Sequence, residues 1–264
     1  VTGEMTSEIF SNMCEALRNN TTALINLDLS STTGLTEIPG GGVFSGCKSL
    51  ESLIIPDTVT TLGENVFYAC SSLISVTIPD SVTSIGEGAF YACVNLTNLV
   101  VSENNENYSV SDDGKILYNK DKTKLISCCS AVTGDITIPD SVTTIDMYAF
   151  NGCLNLTSVI IPDSVTSIGA NAFYDCRSLI SVRISDSVTS IDYSVFRNCS
   201  SLTSVIIPDS VTTIGDFAFQ GCYNLGSIKI GNSVTSIGEN AFQSCYSGNL
   251  TDIIIPESVT FIGK

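Results

Sequence analysis

The chain has 264 residues, of which 43% are hydrophobic and 14% charged, so it can form a sizeable core and shows no compositional sign of disorder. Its 27 acidic residues outnumber 11 basic ones, and the formal net charge of -16 repels nucleic-acid phosphates and anionic lipids. No apolar run approaches the roughly 18 residues of a membrane helix, and the first residues, VTGEMTSEIF, lack the features of a signal peptide. Since the chain begins with Val, we expect a trimmed product whose export signal or anchor lies outside this sequence.

The first predicted element is an amphipathic helix over residues 6–19. Ile9, Phe10, Met13 and Leu17 recur there at helical spacing. We expect residues 1–22 to form an N-terminal capping helix, which covers the first coil of a repeat domain over residues 23–264.

A repeat of about 23 residues follows the helix. It is marked by cysteines that recur at one constant interval within two groups, Cys47, Cys70 and Cys93, then Cys153, Cys176, Cys199, Cys222 and Cys245. A phenylalanine stands three positions before each of them. A fixed period in the twenties is typical of a solenoid with one coil per repeat.

Each repeat contains a short strand with one buried face, as Leu156, Val159 and Ile161 illustrate. Corresponding triplets run from Leu24, Leu27 and Leu29 to Leu250, Ile253 and Ile255, with Thr133 at the Leu position of one coil, and predict ten strands in ten coils. Pro-Asp-Ser at 162–164 predicts a bend, followed by a second short extended piece over 165–168. Residues 171–176 are predicted to form one helical or 3₁₀ turn.

One connection between strands is longer than the others. Residues 102–132 form a connection nearly twice as long as an ordinary one, and GKILYNKDKTKLIS within it predicts a β-hairpin that turns at Lys120 to Thr123. We expect this hairpin insertion to project as a flap. At the other end, FIGK stops part-way through an eleventh coil, which predicts either a longer natural protein or self-association through that uncapped edge.

The stretch LTSVIIPDSVTSIGANAFYDC, at 156–176, closely resembles the BspA-type, or Treponema pallidum-type, leucine-rich repeats on surface proteins of oral and gut bacteria and some protists. The resemblance covers about residues 45–264 and departs from the pattern at five positions and in the insertion. Those positions are Ser185, Gly231, Asp146, Asp192 and Thr133. The resemblance implies a right-handed leucine-rich solenoid with a parallel sheet on its concave side. It also implies export to the cell surface, where the family role is adhesion to host proteins or other cells.

The cysteines are expected to be small buried thiols, because eight of them share one repeat position beside the Phe column. Cys14, Cys128 and Cys129 fall outside that column and are the better candidates for disulfides. The chain has no histidine and no C-x-x-C spacing, which argues against a zinc site, and the lack of histidine excludes Ser-His and Cys-His catalysis. We therefore predict no enzyme activity and no cofactor.

An acidic column follows the strands, comprising Asp57, Asp80, Asp140, Asp163, Asp186, Asp209 and Glu257. The favoured interpretation is turn capping, because each of these residues follows Pro or Ser in a surface turn. Calcium bridging at Asp163, Asp186 and Asp209 is a weaker alternative, and hydrolysis by a carboxylate pair is weaker still.

The outward position of each strand is the candidate binding column, because successive strand side chains alternate between the two faces. After Asp28 in the first coil it comprises Ile54, Thr77, Val100, Thr137, Ile160, Arg183, Ile206, Lys229 and Ile254. Five aliphatic residues in an acidic protein suggest a contact surface, although β-propensity and repeat duplication would give the same column. A protein or extended peptide suits it better than a sugar, since the column has no aromatic residue.

The sequence thus predicts an extracellular or cell-surface module that binds host or partner-cell proteins, such as extracellular-matrix proteins, through its sheet and insertion. A structural spacer and a calcium-dependent assembly module are the alternatives.

Overall fold

The computed structural model describes residues 2–20, 23–41, 43–245 and 253–264. They divide into two compact units, unit 1 with residues 1–121 and 126–131, and unit 2 with residues 122–125 and 132–264. Each unit is a solenoid in which successive coils add parallel strands to the same sheets. Leu250, predicted in the last coil, lies outside the described residues.

The elements of unit 1 are β1 (Thr2–Glu4), α1 (Ser7–Asn19), β2 (Ile25–Asp28), β3 (Ser31–Thr33), β4 (Glu37–Ile38), β5 (Leu50–Ile54), β6 (Thr61–Leu62), β7 (Ser75–Ile78), β8 (Ser84–Ile85), β9 (Asn98–Val101), β10 (Tyr108–Val110) and β11 (Ile116–Asn119). The next strand, β12 (Lys124–Cys128), has residues in both units. Strands β2, β5, β7 and β9 form the first parallel sheet of unit 1, and β4, β6 and β8 form the second. Strand β1 pairs in parallel with β3, which the sequence did not predict.

The elements of unit 2 are β13 (Thr133–Thr137), β14 (Thr144–Ile145), β15 (Asn155–Ile160), β16 (Ser167–Ile168), β17 (Ser181–Arg183), β18 (Ser190–Ile191), β19 (Ser204–Ile206), β20 (Thr213–Ile214), β21 (Ser227–Lys229), β22 (Ser236–Ile237) and β23 (Phe261–Ile262). Strands β13, β15, β17, β19 and β21 form its first sheet, and Ile254 adds a single parallel bridge to Lys229. The second strands of the coils also pair in chain order: β14 pairs with β16, and β18, β20, β22 and β23 follow one another in a separate sheet.

Helix α1 packs its apolar side against the first coil of unit 1. The Thr6 hydroxyl oxygen accepts a hydrogen bond from the Ile9 backbone N–H at 3.3 Å, which satisfies one of the open donors at the helix start. Phe10 is buried, and its ring meets that of Phe44 edge-on at 5.5 Å. The helix therefore covers the first ring of the Phe column.

Stacked phenylalanines fill the core of both units. In unit 1 the rings of Phe44, Phe67 and Phe90 follow one another with centroids 5.6 and 5.5 Å apart. In unit 2 five rings stack from Phe150 to Phe242 at 4.8 to 5.4 Å. One ring per coil fixes the spacing between coils, because offset-stacked rings favour separations of about 4.5–7 Å.

Two first-sheet strands contain irregularities that change the predicted register. A bulge between Ile25 and Asn26 places Ile25 opposite Leu50, so Leu24 is not the buried residue that the triplet pattern predicted and is 58% exposed. A second bulge follows Gly134, which lies opposite Leu156. In both cases the extra residue lies in the next coil, at Glu51 and at Thr157, so the two coils with the weakest match to the repeat are one residue shorter there than their neighbours.

The predicted helical or 3₁₀ turn at 171–176 is a succession of tight turns. Asn171 and Asp175 have φ values of 57° and 63°, in the left-handed region that a right-handed helix does not contain. Their backbone also bonds to the next coil, since the Phe173 N–H donates to the Val195 carbonyl at 2.9 Å. This segment, repeated in each coil, adds a third coil-to-coil ladder, which we call the turn ladder.

The insertion does not project as a flap, contrary to the sequence prediction. Strands β11 and β12 are neighbours on either side of residues 120–123, but Leu117 and Tyr118 are buried. Asn105 is fully buried; its side-chain N–H groups donate to the carbonyls of Pro79 at 2.7 Å and Val82 at 3.1 Å. The insertion therefore packs against the preceding coil, where the Asn105 side chain is bonded to its backbone.

Candidate protein-binding face

The polar residues repeated in every coil bond one coil to the next. Thr212 donates from its hydroxyl to the Thr189 carbonyl at 3.3 Å, and Thr235 donates in the same way to Thr212 at 3.2 Å. In the turn after the strand, the Ser210 hydroxyl donates to the Val188 carbonyl at 2.7 Å. These side chains are used for stacking, so recognition is expected at positions whose residues differ between coils.

The cysteine column has the same role. The Cys176 thiol donates to the Phe150 carbonyl at 3.1 Å, and the Cys199 thiol donates to the Phe173 carbonyl at 3.2 Å. Burial raises the pKa of both thiols well above the usual value. A thiolate could not donate these bonds, so the column consists of neutral structural thiols, as the sequence predicted.

None of the eleven cysteines, each among the described residues, forms a disulfide. This includes Cys14, Cys128 and Cys129, which the sequence had favoured for disulfides. Burial raises the pKa of Cys14 to about 12. These three cysteines are packed among apolar residues in the same way as the column.

In unit 1 the predicted outward residues stand side by side on the first sheet. The strand register pairs Asp28 with Ile54, Ile54 with Thr77, and Thr77 with Val100. Ile54 is 39% exposed and Val100 is 41% exposed, whereas Thr77 is partly buried. The alternation therefore correctly gives the side of the sheet on which they lie.

In unit 2 the register pairs Thr137 with Ile160, Ile160 with Arg183, and Ile206 with Lys229. All five are exposed, and Ile206 is the most exposed aliphatic residue among them at 63%. Ile254, at the bridge, is 78% exposed.

A groove runs beside this column in unit 2. It consists of two adjoining cavities of about 300 and 420 Å³, which share Asp186, Ile206 and Pro208. Arg183 lines the first cavity and Lys229 lines the second. Asp186 lines both cavities, so the groove combines an exposed aliphatic side chain with charges of both signs.

The repeat pattern decides the family. Residues 7–112 and 127–249 match the profile described as BspA type leucine rich repeat region, which has six copies. The chain belongs to the BspA-type leucine-rich repeat family. The resemblance that the Leu, Pro, Phe and Cys positions predicted is therefore confirmed.

Several solved structures of bacterial proteins are similar to this BspA-type chain. A leucine rich cell surface protein of Faecalibacterium prausnitzii is 35% identical, with a TM-score of 0.77, over 90% of this chain and 59% of its own. Two further bacterial proteins, each 24% identical, share the fold. The pneumococcal vaccine antigen PcpA has a TM-score of 0.68 over 87% of this chain and 66% of its own. A leucine-rich repeat protein of Eubacterium ventriosum has a TM-score of 0.64 over 99% of this chain and 87% of its own. A comparison with curated proteins gave no match.

The acidic column has several kinds of contact in this BspA-type structure. Asp163 pairs with Arg183, with 3.0 Å between Oδ1 and Nη2, and Asp209 Oδ1 accepts a hydrogen bond from the Asn232 backbone N–H at 2.7 Å. The turn itself is closed by the backbone, since the Val165 N–H donates to the Pro162 carbonyl at 3.0 Å. Within the described ranges, no group of three or more Cys, Asp and Glu side chains is arranged to hold a metal ion.

The sequence missed exposed side chains outside the outward column. Tyr193 and Tyr223 are 46% and 52% exposed, and both lie in the segments around the Phe and Cys columns. Phe261 and Ile262, in β23, are more than half exposed; self-association through that edge stays a prediction. Among the described residues there is no helix with the length and apolarity to cross a membrane.

Proposed function

We propose that this BspA-type chain is a cell-surface or extracellular module that binds a protein through the groove and outward column of unit 2. The groove around Ile206 supports this proposal most directly, because an exposed branched aliphatic side chain lies there between two cations. Leucine-rich solenoids typically serve as scaffolds for protein interaction, which agrees with this assignment.

The partner's chemistry follows from the groove. Ile206 would contact an apolar side chain, and Arg183 and Lys229 would meet acidic groups, while Asp186, which lines both cavities, would accept a hydrogen bond from the partner. The ion pair between Arg183 and Asp163 does not prevent this, because both side chains are more than half exposed and such a pair contributes little stability. A protein or extended peptide with acidic residues beside an apolar one is the expected ligand.

A surface location is supported by the F. prausnitzii protein, which is described as a leucine rich cell surface protein. The present chain spans 59% of that protein, so the location is carried over as part of the proposal. Adhesion to extracellular-matrix or partner-cell proteins is the corresponding activity. Ile54, Thr77 and Val100 in unit 1, and the exposed turn of the insertion at Asp121, remain further predicted contacts.

A triple variant, Ile160→Thr, Arg183→Ser and Ile206→Thr, tests the proposal. Thr occupies the same outward position at 77 and 137, so the sheet should tolerate the change and thermal unfolding should be unaltered. We expect beads coated with the variant to adhere to extracellular-matrix proteins or partner cells about tenfold less than beads coated with the parent.

The matched control is Ile9→Thr, which removes a similarly exposed aliphatic side chain from α1 and should adhere like the parent. Unchanged adhesion of the triple variant would favour a structural spacer instead.

A further inference from the structure

Four side chains of the turn ladder in unit 2 form a continuous cluster. The Arg197 guanidinium carbon lies 5.8 Å from the Tyr174 ring centroid and 5.2 Å from that of Phe217. The Phe217 ring meets the Tyr193 ring edge-on, with centroids 5.6 Å apart. We call Tyr174, Tyr193, Arg197 and Phe217 the aromatic patch; it spans three coils and lies outside the outward column.

The backbone under the patch is held rigidly. The Asn171 N–H donates to the Tyr193 carbonyl at 3.0 Å, the Asp175 N–H donates to the Arg197 carbonyl at 2.9 Å, and the Phe217 N–H donates to the Glu239 carbonyl at 2.9 Å. Each member of the patch is therefore attached to a coil-to-coil ladder. Such preorganisation suits a binding site, since little conformational freedom remains to be lost on binding.

Phe217 occupies a backbone position that suits it poorly. Its φ is 58°, and the corresponding residues of other coils are also in the left-handed region, namely Asn65, Gly88, Tyr148, Asn171, Ser194 and Asn240. Asn and Gly adopt that conformation readily, whereas the two bulky aromatic residues there, Phe217 and Tyr148, are genuine outliers. Asn is the commonest residue of the column, and folding alone would favour it at 217.

A second unfavourable feature lies at the same place. Arg197 Nε and Ser194 Oγ are buried and have no hydrogen-bond partner in the described part of the chain. A buried polar group without a partner destabilises the folded state, because it has given up its hydrogen bonds to water. Strained backbone and unsatisfied polar atoms that coincide indicate selection for something other than stability.

We propose that the aromatic patch binds a neutral oligosaccharide. Tyr193 is exposed and Tyr174 and Phe217 are partly exposed, so their rings offer apolar surface to the C–H groups of pyranose rings. The exposed carboxylates of Asp192 and Asp216 adjoin Tyr193 and Phe217 in sequence; one oxygen of each accepts a hydrogen bond within the chain, and the other can accept one from a sugar hydroxyl. The net charge of -16 disfavours anionic glycans. This binding activity goes beyond the proposed function, since the protein-binding column has no aromatic residue.

Phe217→Asn is the decisive variant. It removes the ring but installs the residue that other coils use at this position, so the melting temperature should equal or exceed that of the parent. Calorimetric titration with cellohexaose, maltohexaose and mannohexaose should show binding of at least one sugar by the parent. The affinity of Phe217→Asn, and of Tyr193→Ala, should be about tenfold weaker or lower.

Ile206→Thr is the matched control and should bind the sugar like the parent, which separates this site from the protein-binding groove. If the parent binds none of the three hexasaccharides, or if a stable Phe217→Asn variant binds as well as the parent, the proposal is overturned.

Discussion

Replacing Phe173 with alanine is expected to lower the free energy of unfolding by about 3–5 kcal/mol. The side chain is fully buried, and its ring stacks on Phe150 at 4.8 Å and on Phe196 at 5.3 Å. The change would leave a cavity between three successive coils and remove two ring contacts. Because each coil is stabilised mainly by its neighbours, a defect in the middle of unit 2 weakens both interfaces of one coil.

Urea unfolding followed by circular dichroism measures this effect. Phe242→Ala is the matched control, because Phe242 is partly exposed and stacks on Phe219 alone among the described rings, at 5.4 Å. Its loss should be clearly smaller. Equal losses for the two variants would contradict a core that depends on continuous stacking.

The repetitive part of the fold was predictable because its signals are local. A constant period fixes which residues face each other in adjacent coils, so the burial of Phe173 and Cys176 follows from their spacing alone. Alternation along the strand likewise gives the outward side of Ile160 and Ile206. When the same residue recurs at one position in successive coils, that position alone is enough to predict whether its side chain is buried.

The parts of the fold that the sequence analysis did not predict depend on contacts between residues that do not repeat from coil to coil. The packing of the insertion rests on Asn105, whose side chain bonds to Pro79 and Val82, and nothing in the sequence near Asn105 indicates those partners. The bulges at Ile25 and Gly134 shift the register, which a triplet pattern cannot distinguish from a poor match.

The candidate sites likewise have a part that the sequence predicts and a part that it does not. The outward column was predictable, but its groove arises where Pro208 and Asp186 border Ile206, and depth is not visible in a periodic pattern. The aromatic patch did leave a signal in the sequence. Phe217 stands in a column whose commonest residue is Asn, and an aromatic residue at a turn position that favours Asn could have been noticed.

Raising the pH is expected to unfold the chain between about pH 9 and pH 11. Burial raises the pKa of eight thiols above their usual value near 9: Cys14 and Cys70 to about 12, Cys245 to about 11, and Cys47, Cys93, Cys176, Cys199 and Cys222 by differing amounts. Below pH 9 these thiols are protonated in both states, so stability is fully present. Above it the unfolded chain releases protons that the folded chain keeps, and stability falls by about 1.4 kcal/mol per pH unit for each thiol. Because the losses of the eight thiols add, the folded state should lose much of its stability as the pH rises above 9.

Urea unfolding of the fully reduced protein at a series of pH values tests this expectation. The variant Cys199→Ala separates the thiol's proton linkage from its packing. It should be less stable than the parent at pH 7, because it removes one of the two hydrogen bonds to the Phe173 carbonyl, leaving only that from the Cys176 N–H, and opens a small cavity. Above pH 9, however, its stability should fall less steeply than that of the parent, by one thiol's share of about 1.4 kcal/mol per pH unit. A parent whose stability does not change up to pH 11, or a variant with the same slope as the parent, would show that the buried thiols do not control alkaline unfolding.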